Sequence, residues 1–261
     1  MNNARTLITP TKTQGEPRIG PDAIMIAIRP ELRAMAELSH AEKTSLKIMC
    51  PFEFYLIKRD GKPPLALAGP LLGAPQGAIV MEKLIALGAQ RLWVLGWCGS
   101  LQPDLRIGGL IIPTTALCEE GTSAHYPVGK KRKRTDSVLN ENLGNALQKA
   151  NLPFLMGPVW TTDAIYRETQ EKVVEYGSKG ILAVEMEMSA LITVAAYRSV
   201  ALAGVLVVSD ELSSLEWNPG FRGETIKNRS RDACKVLLDL CMKEGQGSFF
   251  HHEGLVEDKN A

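Results

Sequence analysis

The stretch from Ala190 to Val208 constrains the fold more than any other part of the chain, because it is almost wholly apolar and carries one charge, Arg198. As a single element it would be a membrane-spanning helix, yet Arg198 would then sit at the bilayer midplane at a cost of about 3 kcal/mol or more. As two elements it is unstrained: a helix from about Val184 to Tyr197 and a buried strand from about Ala201 to Val208, joined at Arg198-Ser199. Elements this apolar must be covered on both sides, which calls for a layered core.

The same alternation runs through the chain. Strands are expected at Ala23 to Ile28, Pro64 to Gly69, Arg91 to Leu95, Gly109 to Ala116 and Phe154 to Thr161. Helices are expected at Gln76 to Leu87, Ser137 to Ala150, Glu168 to Tyr176 and about Thr225 to Met242. The pattern predicts an α/β fold, a three-layer αβα sandwich around a mixed central sheet. With no internal repeat and no linker, residues 21–245 are expected to form one domain, between an N-terminal arm (1–20) and a C-terminal tail (246–261). The composition, 45% hydrophobic and 23% charged, is that of a globular chain able to bury about 70% of its surface without metal or disulfide staples.

Thirty Lys+Arg balance 29 Asp+Glu, leaving a net charge of +1 and no global field for a polyanion. Nucleic acid and membrane are therefore not expected partners, and any bound anion needs a local site. The basic run Lys130 to Arg134 reads as a solvated loop, and His251-His252 as part of a mobile tail, since adjacent imidazoles lack further metal ligands. No metal and no cofactor are expected. Five cysteines without a CxxC pair (Cys50, Cys98, Cys118, Cys234, Cys241) and a polar N-terminus without an apolar signal core fit the cytoplasm.

Ligands of open α/β sheets collect at the carboxyl ends of strands, so the residues there are informative. Gly96-Trp97-Cys98-Gly99-Ser100 reads as a glycine-bracketed turn, either structural or open to close ligand approach. In Val184-Glu185-Met186-Glu187-Met188, two carboxylates stand in an apolar region and need either an internal partner or a ligand's hydroxyls, such as those of a ribose. Asp210, at the tip of the most hydrophobic strand, is either a helix N-cap or a catalytic carboxyl kept partly protonated by its setting.

These segments together resemble the nucleoside phosphorylase superfamily, which includes purine nucleoside phosphorylases, uridine phosphorylases and methylthioadenosine/adenosylhomocysteine nucleosidases. The resemblance is carried by Gly180 through Glu-Met-Glu to Ser209-Asp210, by Gly73 to Pro113, and by Thr161-Thr-Asp-Ala-Ile-Tyr166, and spans roughly residues 64 to 245. It implies that Met186 and Glu187 hold the ribose and that Cys98, Gly99, Ile165 and Tyr166 line the base. It further implies that Asp210 protonates or hydrogen-bonds N7 of a purine as the C1′–N9 bond breaks. Uridine phosphorylases carry a Gln and an Arg after this tyrosine, where this chain has Thr169 and Glu171, so purine is favoured over uracil.

One departure bears on the acceptor. The Arg and the Ser or Thr that bind phosphate in the phosphorolytic members are replaced by Val94 and Trp97. Phosphate would then rest on Arg29, Arg33, Ser100 or the loop from Gly69 to Gly77, as co-substrate of a phosphorylase. Alternatively water replaces it, with Glu31 as the orienting base, or the pocket binds a nucleoside without turnover. Phosphorolysis is the first of these readings and hydrolysis the second. Members of the superfamily form dimers, trimers or hexamers, and a homo-oligomer is expected.

Overall fold

The computed structural model describes residues 6–47, 51–129 and 133–244. Cys50, Lys130 to Arg132, His251-His252 and the expected tail lie outside the described residues. The chain runs β1 (Asp22–Ile26), α1 (Arg29–Leu38), β2 (Glu42–Thr44), β3 (Glu53–Arg59), β4 (Lys62–Gly69), α2 (Gly73–Leu87), β5 (Arg91–Ser100) and β6 (Leu110–Glu119). It continues through α3 (Ser137–Lys149), β7 (Phe154–Thr162), α4 (Gln170–Ser178), β8 (Ala183–Glu185), α5 (Met188–Arg198), β9 (Ala201–Glu211), β10 (Asn218–Pro219) and α6 (Glu224–Glu244).

The strands form one mixed sheet in the order β10-β9-β6-β7-β8-β5-β1-β4-β3-β2. Because β9 also pairs with β5, the strands β5, β9, β6, β7 and β8 close on themselves, and β1, β4, β3 and β2 extend from them as an open wing. At the centre β5 lies parallel to both β1 and β9. All five residues of β1 are buried, as a parallel strand covered by helices on both faces requires. One face packs Met25, Val94 and Leu206 against Met81 and Leu84 of α2 and Leu191 of α5. The other packs Ile24, Trp93 and Val205 against Leu32 of α1, Leu143 of α3 and Leu237 of α6. This is the three-layer α/β arrangement expected from the alternation.

The apolar run divides where Arg198 stands. Its Nε and Nη2 donate to the two carboxyl oxygens of Glu82 on α2 at 2.7 and 3.0 Å, and Ser199 turns the chain in the left-handed region (φ 57°) into β9. No helix among the described residues is long and apolar enough to cross a membrane.

Two of the boundaries that differ from expectation reshape the walls of the site. Gly96 to Ser100 is not a turn: β5 continues through it, paired with β9, with a register shift between Cys98 and Gly99. Val184-Glu185 is not helical but forms β8, antiparallel to the end of β5, so α5 begins only after Glu187. The β5–β8 and β5–β9 ladders that impose both changes join residues far apart in sequence.

Candidate active site

A cavity of about 680 Å³ opens at the carboxyl ends of the central strands, within the size range of small-ligand sites. Ala27 and Ile28 enter it after β1, Leu71 and Leu72 after β4, Trp97 to Gly99 from β5, and Ser209 and Asp210 from β9. Val184 to Glu187 form another wall, and Ile165, Tyr166 and Glu168 a third. Met186, Glu187, Cys98, Gly99, Ile165, Tyr166 and Asp210, named from the sequence, thus meet in one cavity. Tyr166 stands at its mouth, 97% exposed.

The acidic wall is built from the start of α5. Glu185 Oε2 accepts the amides of Glu187 and Met188, both at 2.7 Å, and Oε1 accepts the Thr161 hydroxyl. Thr161 Oγ1 in turn accepts the Ser189 amide at 2.9 Å. A helix N-terminus ordinarily offers these amides to an anion; here the chain's own carboxylate takes them. Glu187 Oε1 accepts the Gly73 amide at 2.6 Å, which ties the acid to the first residue of α2. Burial and the charge of Glu185 push the Glu187 carboxyl up. Burial also raises Glu185, opposed by its Thr161 and amide donors.

Asp210 is no helix cap: it lies within β9, paired with Pro219 of β10. Its Oδ1 accepts the Ser209 hydroxyl at 2.6 Å and its Oδ2 the Trp217 indole N–H at 3.0 Å. Gly99 makes this approach possible, because a Cβ there would lie 2.5 Å from Leu212 Cδ1 and 3.1 Å from Asp210 Oδ2. Some lining residues were not named as site residues from the sequence. Trp217 and Phe221 come from the segment after β9, and Glu168 precedes Thr169, whose Oγ1 accepts the Lys172 amide as N-cap of α4. An aromatic residue in a polar loop, as Trp217 is, was the available signal.

Other expected residues fall outside the cavity. Arg29 and Arg33 are exposed on α1 and turn to Glu53 of β3, at 3.5 and 2.9 Å, because that less exposed carboxylate is the nearest anion. Ser100 is buried and closes a local turn, donating to the Gln102 carbonyl at 3.0 Å. Glu31 lies on the buried face of α1 with Leu32 and Met35, so it points into the core rather than the cavity. Burial raises its pKa, Ser230 lowers it, and its Oε2 has no hydrogen-bond partner among the described residues. The Gly69 to Gly77 loop spends its Gly73 amide on Glu187. Thr169 and Glu171 do not line the cavity.

The two replaced positions are firmly held. Val94 is 2% exposed and packs where β5 meets Gly204. The Trp97 indole N–H donates to Ser230 Oγ of α6 at 3.0 Å, and its ring stacks on Phe221 at 6.0 Å. Phe221 also lies 5.9 Å from the Trp217 ring. Among the described lining residues there are four carboxyl groups, Glu168, Glu185, Glu187 and Asp210, and no Lys, Arg or His.

Comparison with known proteins places the chain in a family. The chain is 28% identical over 148 residues to a guanosine phosphorylase of Halorubrum lacusprofundi, covering 57% of this chain and 61% of that protein. It is 29% identical over 182 residues to a DeoD-type purine nucleoside phosphorylase of Bacillus thuringiensis, covering 69% of this chain and 76% of the relative. Its fold superposes on uridine phosphorylase from Vibrio fischeri with a TM-score of 0.76 at 22% identity, over 87% of this chain and 93% of that one. Purine nucleoside phosphorylase from Toxoplasma gondii superposes with a TM-score of 0.76 at 21% identity, over 87% and 92%. Residues 21–241 match the Phosphorylase superfamily, and the chain belongs to it.

Proposed function

We propose that this protein cleaves the N-glycosidic bond of a purine nucleoside and transfers the sugar to phosphate, as an enzyme of the nucleoside phosphorylase type. The observation that carries the reading is the convergence of Met186, Glu187, Ile165, Tyr166 and Asp210 on one cavity in a chain of this superfamily. Glu187 accepts from the ribose hydroxyls, and Met186 packs on the sugar. The base enters between Cys98-Gly99 and Ile165-Tyr166, with Asp210 at its imidazole edge. Breaking the C1′–N9 bond leaves positive charge on the sugar, and a cavity with acidic side chains and no Lys, Arg or His among its described lining residues does not oppose that charge.

Water as the acceptor is a second reading, favoured by two observations: no cationic side chain lines the cavity among the described residues, and the Glu187 and Met188 amides are taken by Glu185. A phosphate dianion would be met by carboxylates and the Trp97 indole. Exposed Leu72, Tyr166 and Trp217 at the mouth support a homo-oligomer in which a second copy covers the opening.

The test is base release from inosine, adenosine, guanosine and uridine, with and without phosphate. Release from purine nucleosides only when phosphate is present supports phosphorolysis, and equal release without it transfers the reaction to water. Release from uridine alone overturns the purine reading, and binding without release from any of the four overturns cleavage.

A further inference from the structure

The acids of the cavity are provided for differently from the other buried acids of the chain. Glu16, Asp22, Glu82 and Glu211 each meet a Lys or Arg, at 2.6, 2.6, 2.7 and 3.1 Å. Outside the cavity, only Glu31 of the buried acids lacks such a partner among the described residues. Glu211 directly follows Asp210 in β9, yet Arg106 pairs with Glu211 while Asp210, like Glu168, Glu185 and Glu187, meets no cation among the described residues. Unpaired acids in a half-buried space are costly, and a cation on the ligand is the counter-charge that the fold leaves out. Donors for an anion are withheld as well: Glu187 takes the Gly73 amide, and Glu185 those of Glu187 and Met188. Trp97, Tyr166, Trp217 and Phe221 add aromatic rings to the lining, whose faces attract a cation. The Trp217 indole N–H donates to Asp210 Oδ2 at 3.0 Å, so ring and carboxyl stand side by side.

We propose that the cavity selects a nucleoside whose base already carries a positive charge, a purine alkylated at N7, and that Asp210 and Glu168 supply the counter-charge. This inference rests on the reading of the cavity as an N-glycosidic cleavage site and names its substrate class. With Asp210 at the imidazole edge of the base, the quaternary N7 lies beside that carboxyl, and Glu168 is near enough to Asp210 for their charges to interact. As the C1′–N9 bond breaks, its electron pair passes into the cationic ring and neutralises it. The alkylated base leaves neutral with no proton added, and the acceptor, phosphate or water, adds at C1′ and releases a proton to solvent. An N7 cation thus removes the need for a general acid between the ring and the carboxyls. Burial and the charge of neighbouring acids raise the Glu168 and Glu187 carboxyls; a cation among them opposes that shift and favours their ionised forms.

The experiment measures dissociation constants for 7-methyladenosine and for 7-deaza-7-methyladenosine, which keeps the shape but has a neutral carbon in place of the quaternary nitrogen. Stopped-flow quenching of tryptophan fluorescence reads them before turnover in the wild-type protein, Glu168→Gln and Asp210→Asn. The cation is expected to bind the wild-type protein about tenfold or more tightly than its neutral counterpart. Each variant should lose about tenfold in affinity for the cation and less than about twofold for the neutral analogue, whose retained binding also shows that the variant is folded. Equal dissociation constants for the two ligands in the wild-type protein, no binding of either, or equal losses for both in a variant that melts as the wild type does, overturn the proposal. If a variant fails to fold, the wild-type comparison decides. Base release is followed separately from inosine and 7-methyladenosine. Release from neither means that the cleavage reading itself fails, whereas release accompanied by equal binding of the charged and neutral ligands overturns the charge preference alone.

Discussion

Asp210 shows how one side chain's role depends on donors the local sequence does not reveal. A carboxyl at the end of an apolar strand could have been a helix cap; the structure makes it an acceptor of the Ser209 hydroxyl and the Trp217 indole. Trp217→Phe keeps the ring and removes one donor. Loss of a partly exposed hydrogen bond to a charged group costs about 1 kcal/mol, so kcat/KM for a purine nucleoside should fall roughly fivefold. An unchanged value would mean that the indole serves packing against Phe221 alone. Glu187 and Asp210 were legible as cavity residues because acids in apolar runs are costly and therefore conspicuous. Glu168 was not, since a glutamate at the expected start of a helix reads as an ordinary first-turn residue. The charge that acts on it, Asp210 of β9, stands more than thirty residues downstream in sequence. Arg29 and Arg33 failed in the opposite way: cations beside a strand end suggest an anion site, but Glu53 of β3 satisfies them.

Among the elements, α5 positions the acidic wall of the cavity, and its first turn is held by Glu185 and Thr161 rather than by an ordinary side-chain cap. Thr161→Val preserves shape but leaves a Glu185 oxygen and the Ser189 amide without their buried partner. The expected cost is about 2–4 kcal/mol in urea unfolding, with a higher KM for nucleoside as Glu187 loses its fixed position. A loss under about 1 kcal/mol would remove this capping role. The long strands and helices were readable from hydrophobic periodicity because their burial is nearly complete. The continuation of β5 through Gly96–Ser100 was not, because glycines signal turns unless a neighbouring strand straightens them. Nor was β8, whose few residues are strand only because β5 and β7 flank them. The helix α1 was hidden by Arg29, Glu31 and Arg33, which blur its apolar stripe of Leu32, Met35 and Ala36.

At the scale of the whole molecule, a near-neutral net charge conceals an uneven distribution whose consequence is a particular dependence of stability on pH. The Glu168 carboxyl is raised from its ordinary 4.5 to about 7 by burial and by Asp210, so between these values the folded chain holds a proton that the unfolded chain has released. Stability therefore falls as pH rises through that window, and Glu187, raised by burial and by Glu185, acts in the same direction. The acid side has the opposite sign. Burial alone would raise Glu16, but Lys83 and the Thr13 and Lys47 amides outweigh it and bring it to about 2. Tyr55 and Arg33 lead in bringing Glu53 to about 2. For both, the unfolded chain takes up protons first, and stability is lost as pH drops from about 4.5 toward 2. The melting temperature of the unliganded protein should thus peak near pH 5 and decline toward pH 8. Glu187→Gln removes one buried titration, so its alkaline decline should be shallower while its acid limb is unchanged. An equally steep alkaline limb in Glu187→Gln would show that this carboxyl gives up its proton without cost, contrary to a cavity whose described lining residues include several acids and no cation.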